Sequence, residues 1–367
     1  MAGHLSKIKI VSFKGIKNLC LENLAPINIL TGDNNCGKTS VLEVIESLTS
    51  PSDFYTWRSL IRKEKFTSTF VGMSIFEGLI NLFNVDDKEM RIRYEVGFID
   101  GTDERIELTG KIEQENLTIQ ECQELTGMLW DDESEEELNL EDIESLTVSV
   151  NINDVKQVDY KIYDIQRRFA IDRLDDAKLV KVTYISPVRH AEGTLFLRSV
   201  LDNPELYEQM LQILQEFDPG IISINVDNAN EKYRRGNVYK ILSKEHSKAL
   251  PLNVYGDGMK KAVLLMSAVI QSQGGILLLD EFETAIHTTA MNKVFEWILE
   301  TCTKLDVQLF LTTHSEEAID KVLKCSPKLQ DKIKVFTLYK NEDGTIARAV
   351  DAYKAIEMKD EMGLELR

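Results

Sequence analysis

The chain has 367 residues, of which 43% are hydrophobic and 28% are charged, with a formal net charge of −18 at pH 7. This composition is that of a globular protein able to bury one large core or two ordinary ones. No apolar run approaches the roughly 18 residues that a membrane-spanning helix needs. The first residues enter a strand pattern without the apolar region of a signal peptide. The acidic balance argues against a protein that coats DNA unaided, because such proteins usually present net positive charge.

Cysteine usage and charge runs carry further expectations. The five cysteines are scattered without CxxC pairs or metal-ligand spacing, which predicts reduced thiols and a cytoplasmic location. They are Cys20, Cys36, Cys122, Cys302 and Cys325. The acidic segment 131–144 is interpreted as a solvated loop or insertion, with a docking surface as the alternative.

The chain opens with strand patterns that lead into a glycine-rich loop. Alternating apolar residues predict strands at Lys7–Phe13 and Leu19–Leu21, and the apolar run Ile27–Leu30 predicts a short buried strand. The next eight residues match the P-loop pattern G-x-x-x-x-G-K-[ST]; they are Gly32, Asp33, Asn34, Asn35, Cys36, Gly37, Lys38 and Thr39. Helical spacing over Thr39–Leu48 places a helix N-terminus at the end of this loop, where it would face phosphates.

Each residue type in the loop suits a nucleotide phosphate. The glycines let successive backbone N–H groups turn inward, Lys38 would bring charge to the β- and γ-phosphates, and Thr39 would coordinate Mg²⁺. ATP and Mg²⁺ are therefore the expected cofactors, and Ser40 belongs to the same binding segment. Cys36, inside the loop, is interpreted as a tolerated variable position, with a redox role as the alternative.

The middle of the chain mixes strand and helix patterns. Residues 85–115 alternate around a hairpin turn at Asp100-Gly101, and further strands are predicted at Leu146–Ile152 and Val158–Ile162. Residues 165–250 are predicted to be helical, with a clear apolar face at 206–217. From residue 250 onward strands and helices alternate.

A second motif follows far downstream. The apolar run Ile276–Leu279 predicts a buried parallel strand, and the carboxylates of Asp280 and Glu281 stand at its carboxyl end, where ligands bind. Asp280 would hold Mg²⁺, and Glu281 would polarise the attacking water. Lys38 and Asp280 lie 242 positions apart. One nucleotide-binding core is therefore expected to be split by a large insertion.

A glycine-rich turn precedes the apolar helix predicted at 259–273. Gly256, Asp257 and Gly258 place a second anion-binding helix N-terminus on the chain. One nucleotide hardly needs two such loops from one subunit, so this loop is expected to cap the γ-phosphate of ATP held by another copy of the chain. The alternative is a plain loop before a core helix.

Histidines complete the candidate site. A helix predicted over Thr289–Lys304 leads to the strand Val307–Leu311, which ends in Thr312, Thr313 and His314. His314 is expected to contact the γ-phosphate or the attacking water. For His287, which with Glu283 forms a D-E-x-E-x-x-x-H spacing, a functional and a structural role stay open.

These motifs resemble those of the ABC-type ATPase group that includes SMC, RecF and RecN heads. The chain most resembles the AAA15/AAA21-like ATPases related to OLD-family proteins. The similarity rests on residues 8–48 and 251–320, a C-terminal hairpin with Asp343-Gly344 at its turn, and the closing segment 363–367. It implies one α/β P-loop NTPase head with an N-terminal antiparallel β lobe and an inserted helical region. Residues 1–60 and 250–350 would form the core around an insertion at 61–250.

The resemblance also implies roles for residues. Lys38, Glu281 and His314 would be catalytic, Thr39 and Asp280 would hold the metal, and the glycine loop 256–258 would act across a homodimer. Gly256 stands where related signature loops usually offer a serine, which puts the strength of the contact across the dimer in question. No Q-loop glutamine can be assigned.

Partner expectations follow from the same resemblance. OLD nucleases continue into a Toprim domain, whereas this sequence ends at Arg367, so the expected output is a separate effector, a nuclease, in a two-component anti-phage system. The alternative is a RecF-like DNA clamp in repair. Its basic patches would be formed by Arg58, Arg62, Lys63, Lys65, Arg234 and Arg235. A transporter ATPase subunit is disfavoured by the RecF-like N-terminal strands and the degenerate signature loop.

Overall fold

A computed structural model describes most of the chain, and it divides into two compact units. The described residues are 3–61, 73–127, 142–169, 171, 178–187, 197–227, 238–282, 289–342 and 344–361. The first unit, the β-lobe unit, comprises residues 1–23, 35–180 and 339–347. The second, the parallel-sheet unit, comprises residues 24–34, 181–338 and 348–367. Among the described residues, no helix is long and apolar enough to cross a membrane.

The β-lobe unit is built on a six-stranded antiparallel sheet in the order β2-β1-β4-β5-β6-β7. Its strands are β1 (Leu5–Phe13), β2 (Ile16–Glu22), β4 (Arg91–Phe98), β5 (Asp103–Glu115), β6 (Ile143–Ile152) and β7 (Val155–Tyr163). Alternate residues such as Ile8, Ile10 and Tyr94 are fully buried. This period of two is why these segments form a sheet with one packed face and one wet face.

Helices pack within the same unit. They are α1 (Lys38–Ser47), α2 (Phe54–Ser59), α3 (Ile75–Ile80) and α4 (Ile119–Thr126). Both α3 and α4 begin with a capping box, in which Ser74 and Thr118 each exchange hydrogen bonds with the glutamate three residues later. These reciprocal bonds satisfy the first backbone N–H groups and define where the helices start.

The parallel-sheet unit contains the strands that carry the candidate site. The sheet order is β15-β14-β3-β13-β12-β8. The strands of this sheet are β3 (Ile27–Gly32), β8 (Val182–Ile185), β12 (Ile276–Leu279), β13 (Gln308–Thr312), β14 (Ile333–Asn341) and β15 (Gly344–Asp351). Residues 339–341 of β14 and 344–347 of β15 are counted in the β-lobe unit. The neighbouring pairs from β14 to β8 are all parallel. The carboxyl ends of β3, β13, β12 and β8 therefore share one edge of the sheet.

Helices and a small second sheet complete this unit. The helices are α5 (Leu197–Leu201), α6 (Pro204–Leu214), α7 (Asp257–Gln271), α8 (Thr289–Lys304), α9 (Glu316–Cys325) and α10 (Ala352–Asp360). Strands β9 (Ile221–Asp227), β10 (Val238–Ser243) and β11 (Leu250–Pro251) form a three-stranded antiparallel sheet. The continuous apolar strands β3 and β12 and the helix α7 share one hydrophobic core. Strands buried on both faces read as unbroken apolar runs, as seen here.

The predicted fold class is confirmed: a parallel sheet carries the P-loop strand, and an antiparallel β lobe accompanies it. One prediction was wrong. Residues 165–250 contain strands β8, β9, β10 and β11 as well as helices α5 and α6. The run Val182–Ile185 is too short for its periodicity to distinguish strand from helix, and its pairing with β12 decides the matter.

Several predicted features fall outside the described residues. They are Arg62, Lys63, Lys65, most of the acidic segment 131–144, Arg234, Arg235, Glu283, His287, Asp343 and the closing segment 363–367.

Candidate nucleotide site

The loop between β3 and α1 is the first part of the candidate site. Strand β3 is buried throughout and ends at Gly32, the first P-loop residue. Gly32, Asn35 and Gly37 have φ angles of 132°, 63° and 106°. Three positive φ angles within six residues produce a tight turn that most L-residues resist, which is why glycine is required at both ends of the loop.

Gly37 is further constrained by a close neighbour. A Cβ atom on Gly37 would lie 2.8 Å from Cγ1 of Ile16, the first residue of β2. Helix α1 follows directly, and its N-cap residue, Gly37, supplies no side-chain hydrogen bond. The first N–H groups of a helix without a side-chain cap suit an anion.

Lys38 is half-buried at the start of α1, and its Nζ lies 3.8 Å from the Sγ of Cys36. Cys36 is buried, whereas Asp33, Asn34 and Asn35 are exposed. The outer part of the loop is thus open to solvent and its inner part packs against protein.

Asp280 follows β12, and its carboxylate is only 2% exposed. Two hydroxyls from the flanking strands donate to it. Tyr184 OH on β8 lies 3.0 Å from Oδ2, and Thr312 Oγ1 on β13 lies 2.5 Å from Oδ1. The backbone N–H of Asp280 also donates to the Ile185 carbonyl at 3.0 Å. A buried carboxylate is tolerated when hydrogen bonds replace its water, and both oxygens here are served.

Glu281 has an exposed side chain and a backbone φ of 50°. Its N–H donates to Thr312 Oγ1 at 2.8 Å. A left-handed glutamate is uncommon and costs roughly 1–3 kcal/mol, and such positions cluster at functional sites. The turn directs Glu281 to solvent immediately after the buried Asp280.

His314 is exposed just beyond the end of β13, on a segment anchored on both sides. The N–H of Thr313 donates to the Leu30 carbonyl on β3 at 3.1 Å. Ser315 N–H donates to Thr313 Oγ1 at 2.9 Å, and Ser315 Oγ caps helix α9. Glu281 and His314 therefore follow neighbouring strands at one sheet edge, as predicted from the strand pattern.

The glycine loop before α7 is the remaining predicted element. A Cβ atom at Gly256 would have no neighbour within 4 Å, and the Asp257 side chain is 85% exposed. Asp257 accepts a hydrogen bond from Lys260 at 3.0 Å, which lowers the pKa of Asp257. Gly258 packs near Phe217. Lys260 thus already neutralises a carboxylate in the first turn of α7, which leaves backbone N–H groups as the donors that this loop could offer to a phosphate.

The donor chemistry fits Mg²⁺ better than a protein-caged metal. Among the described residues, no group of three or more His, Cys, Asp or Glu side chains comes together. Mg²⁺ is usually held by one or two carboxylates, hydroxyls, water and substrate phosphates. Asp280, pre-oriented by two hydroxyls, and the hydroxyl of Thr39 are ligands of that kind.

Sequence reasoning missed Tyr184 and gave Thr312 no role. Tyr184 lies in the region predicted to be helical, 96 positions before Asp280. The available signal was the short run Val182–Ile185, followed by Ser186 and Pro187, which is typical of a buried strand that ends at a turn.

The described basic residues of the β-lobe unit are largely paired with carboxylates. Arg105 lies 3.1 Å from Glu95 and 2.8 Å from Asp154, and Arg91 lies 2.8 Å from Glu107. Arg58, one of the predicted DNA contacts, stands over the ring of Phe169 at 5.3 Å. The face of the antiparallel sheet that carries Arg91, Glu95, Arg105 and Glu107 therefore presents paired charges of opposite sign.

The P-loop strand β3 pairs with β13, which ends at Thr312, and β13 pairs in turn with β12, which leads into Asp280; this sheet order is that of the ABC-type class of P-loop ATPase heads. The chain belongs to the family described as "AAA domain, putative AbiEii toxin, Type IV TA system", whose model matches residues 27–320.

Two curated relatives and one solved structure are similar to the chain. An "ATP/GTP phosphatase" of Helicobacter pylori is 24% identical, with 94% of this chain and 95% of the relative covered. The DNA replication and repair protein RecF of Teredinibacter turnerae is 33% identical over 94 residues, which cover 24% of this chain and 25% of that protein. An Smc head bound to the C-winged helix domain of ScpA matches with a TM-score of 0.50 and 10% identity, covering 96% and 99% of the two chains. The Smc likeness concerns the fold alone.

Proposed function

We propose that the protein is an ATP-hydrolysing switch that closes as a dimer around ATP and controls a separate effector. One observation carries the nucleotide site: the P-loop strand β3 and the strands leading to Asp280 and His314 are parallel neighbours ending at one sheet edge. Ligands of open α/β sheets bind at that edge. The name of the Helicobacter pylori relative, an ATP/GTP phosphatase, points to the same chemistry.

In this proposal the residues divide the work by chemistry. The backbone of Gly32–Ser40 and the Lys38 ammonium bind the phosphates, and Thr39 and Asp280 hold Mg²⁺, which neutralises phosphate charge when bound. Glu281 orients and polarises the attacking water, and His314 contacts the γ-phosphate. The exposed loop 256–258 would meet the nucleotide of a second copy through its backbone N–H groups.

The proposed switch acts through differential binding of a partner in the ATP and ADP states. The family description names a toxin–antitoxin system, which is a two-component arrangement. We extend this to a separate effector, a nuclease, acting in anti-phage defence.

The direct test is nucleotide binding by Lys38→Ala. The parent should bind a fluorescent ATP analogue and release phosphate from ATP. Lys38→Ala should do neither, because the variant lacks the ammonium group that binds the phosphates. GTP should be tested in parallel. Lys7→Ala, which removes a lysine from an exposed ion pair with Asp103, is the control. Unchanged affinity in Lys38→Ala would refute the site.

A RecF-like DNA clamp is the second candidate, supported by the 94-residue similarity to RecF. The net charge of −18 and the paired basic residues of the β lobe weigh against it, because phosphate binding needs unneutralised cations.

A further inference from the structure

The buried carboxylate of Asp280 is held from both sides by hydroxyls of the neighbouring strands. We infer that Tyr184 and Thr312 are positioning residues, which fix Asp280 for the metal and, through Thr312, fix Glu281 for water. This inference rests on the proposed nucleotide site and adds two residues to it.

Strand register explains why these two side chains meet Asp280. Tyr184 pairs with Leu278, and Ile185 pairs with Leu279, so the Tyr184 phenol extends past the end of β12 toward the next residue. On the other side Leu311 pairs with Leu279, which places Thr312 level with Asp280. The contacts at 3.0 Å and 2.5 Å are thus consequences of the sheet order.

The two bonds use different oxygens. Tyr184 donates to Oδ2 and Thr312 donates to Oδ1, so the two bonds together fix the plane of the carboxylate. Without these donors the side chain could rotate among several orientations. At 2% exposure the carboxylate would also lack two of the hydrogen bonds that replace water around it. Mutation of a residue that orients a metal ligand typically lowers metal affinity or activity by roughly 10- to 100-fold.

Thr312 has a second task that Tyr184 lacks. Its hydroxyl donates to Asp280 and accepts from the backbone N–H of Glu281 at 2.8 Å. That acceptor stabilises the left-handed conformation of Glu281, at φ 50°. The two residues should therefore give different kinetic signatures when changed.

The experiment measures how a fluorescent ATP analogue binds across a Mg²⁺ titration, with ATP turnover measured separately. Tyr184→Phe removes one hydroxyl and should leave metal-free affinity unchanged while raising the half-maximal Mg²⁺ concentration roughly 10- to 100-fold. Thr312→Val should do the same and also lower kcat at saturating Mg²⁺. Thr312→Ser, which keeps the hydroxyl, should restore both.

Tyr207→Phe is the matched control. Its phenol donates to the Ile224 carbonyl at 3.1 Å and accepts from the Ile224 N–H at 2.9 Å, in the same unit but without contact to Asp280. It should lose comparable hydrogen bonding and keep the parent response to Mg²⁺.

The outcomes separate the two proposals. If Mg²⁺ strengthens binding of the ATP analogue to the parent, and the half-maximal Mg²⁺ concentration is the same for Tyr184→Phe and Thr312→Val, the positioning role is overturned and the nucleotide site stands. A parent whose binding ignores Mg²⁺ would overturn the proposed metal site and this inference together. Should Thr312→Val fail to fold, Tyr184→Phe carries the test, because it removes only one oxygen atom.

Discussion

Lys14 Nζ lies 2.7 Å from the carboxylate of Glu43, in the middle of the P-loop helix α1, and the two side chains are only 14% and 5% exposed. Lys14 also donates to the Leu60 carbonyl at 3.1 Å and stands over the ring of Phe13. This ion pair, with its carboxylate buried, ties the turn between β1 and β2 to the helix that begins with Lys38.

Lys14→Met should destabilise the protein by about 3–5 kcal/mol, because it leaves the Glu43 carboxylate buried without its cation. Replacing both partners, as Lys14→Met with Glu43→Leu, should recover much of that loss. Urea unfolding midpoints measure the effect. Lys7→Met, which removes an exposed pair with Asp103, should change the midpoint little. Equal effects of Lys14→Met and Lys7→Met would contradict the importance of the buried pair.

Gly37→Ala should abolish nucleotide binding. Its φ of 106° and the 2.8 Å approach of Ile16 leave no room for a methyl group in the present loop conformation. Gly101→Ala is the matched control, because Gly101 also has a positive φ, 88°, but faces open space. The control should keep full affinity and lose about 1 kcal/mol of stability. Calorimetric titration with ATP distinguishes the two, and normal affinity in Gly37→Ala would show that the loop tolerates rearrangement.

Glu281→Gln should bind ATP and accumulate as a dimer. It should hydrolyse ATP at least 100-fold more slowly than the parent, because a general base typically contributes roughly 10²–10⁴-fold to the rate. The amide keeps the shape of the side chain but cannot accept a proton from water. Light scattering with ATP and with ADP measures the association. The control is Glu361→Gln, the same exchange at an exposed residue after the last helix, and it should have no effect. Turnover at the parent rate would exclude Glu281 as the base.

The trapped dimer also tests the effector proposal. Purification of tagged Glu281→Gln with ATP, beside the same variant carrying Lys38→Ala, should enrich one protein partner only when ATP is bound. A nuclease activity in that partner is the expected result. A partner retained equally by both variants would show that ATP does not control the complex.

Salt dependence separates the switch from a DNA clamp. A clamp that contacts six to ten phosphates would lose roughly 10³–10⁵ in DNA affinity between 50 and 200 mM salt. With a net charge of −18 and paired basic residues, this protein should show no such ATP-dependent duplex binding by fluorescence anisotropy. A steep salt-dependent affinity that requires ATP would favour the clamp.

The predictability of each element depended on how local its signal was. The P-loop, strand β12 and helix α8 were predicted well, because a motif or a long apolar pattern lies within a few residues of chain. Helix α8 spans Thr289–Lys304, as predicted, and α7 begins at Asp257, two residues before the predicted start. Strand β8 lies in a region that was predicted to be helical, because a run of four residues is too short for its periodicity to distinguish a strand from a helix.

The local sequence was sufficient to indicate a nucleotide-binding ATPase, because Gly32–Thr39 and the pair Asp280-Glu281 each combine a strand end with the chemistry of a phosphate or metal ligand. It could not indicate what holds Asp280. Tyr184 is 96 positions away and Thr312 is 32 positions away. Only the order of parallel strands, which is decided by long-range packing and pairing, sets β8 and β13 on either side of β12 and directs their hydroxyls to one carboxylate.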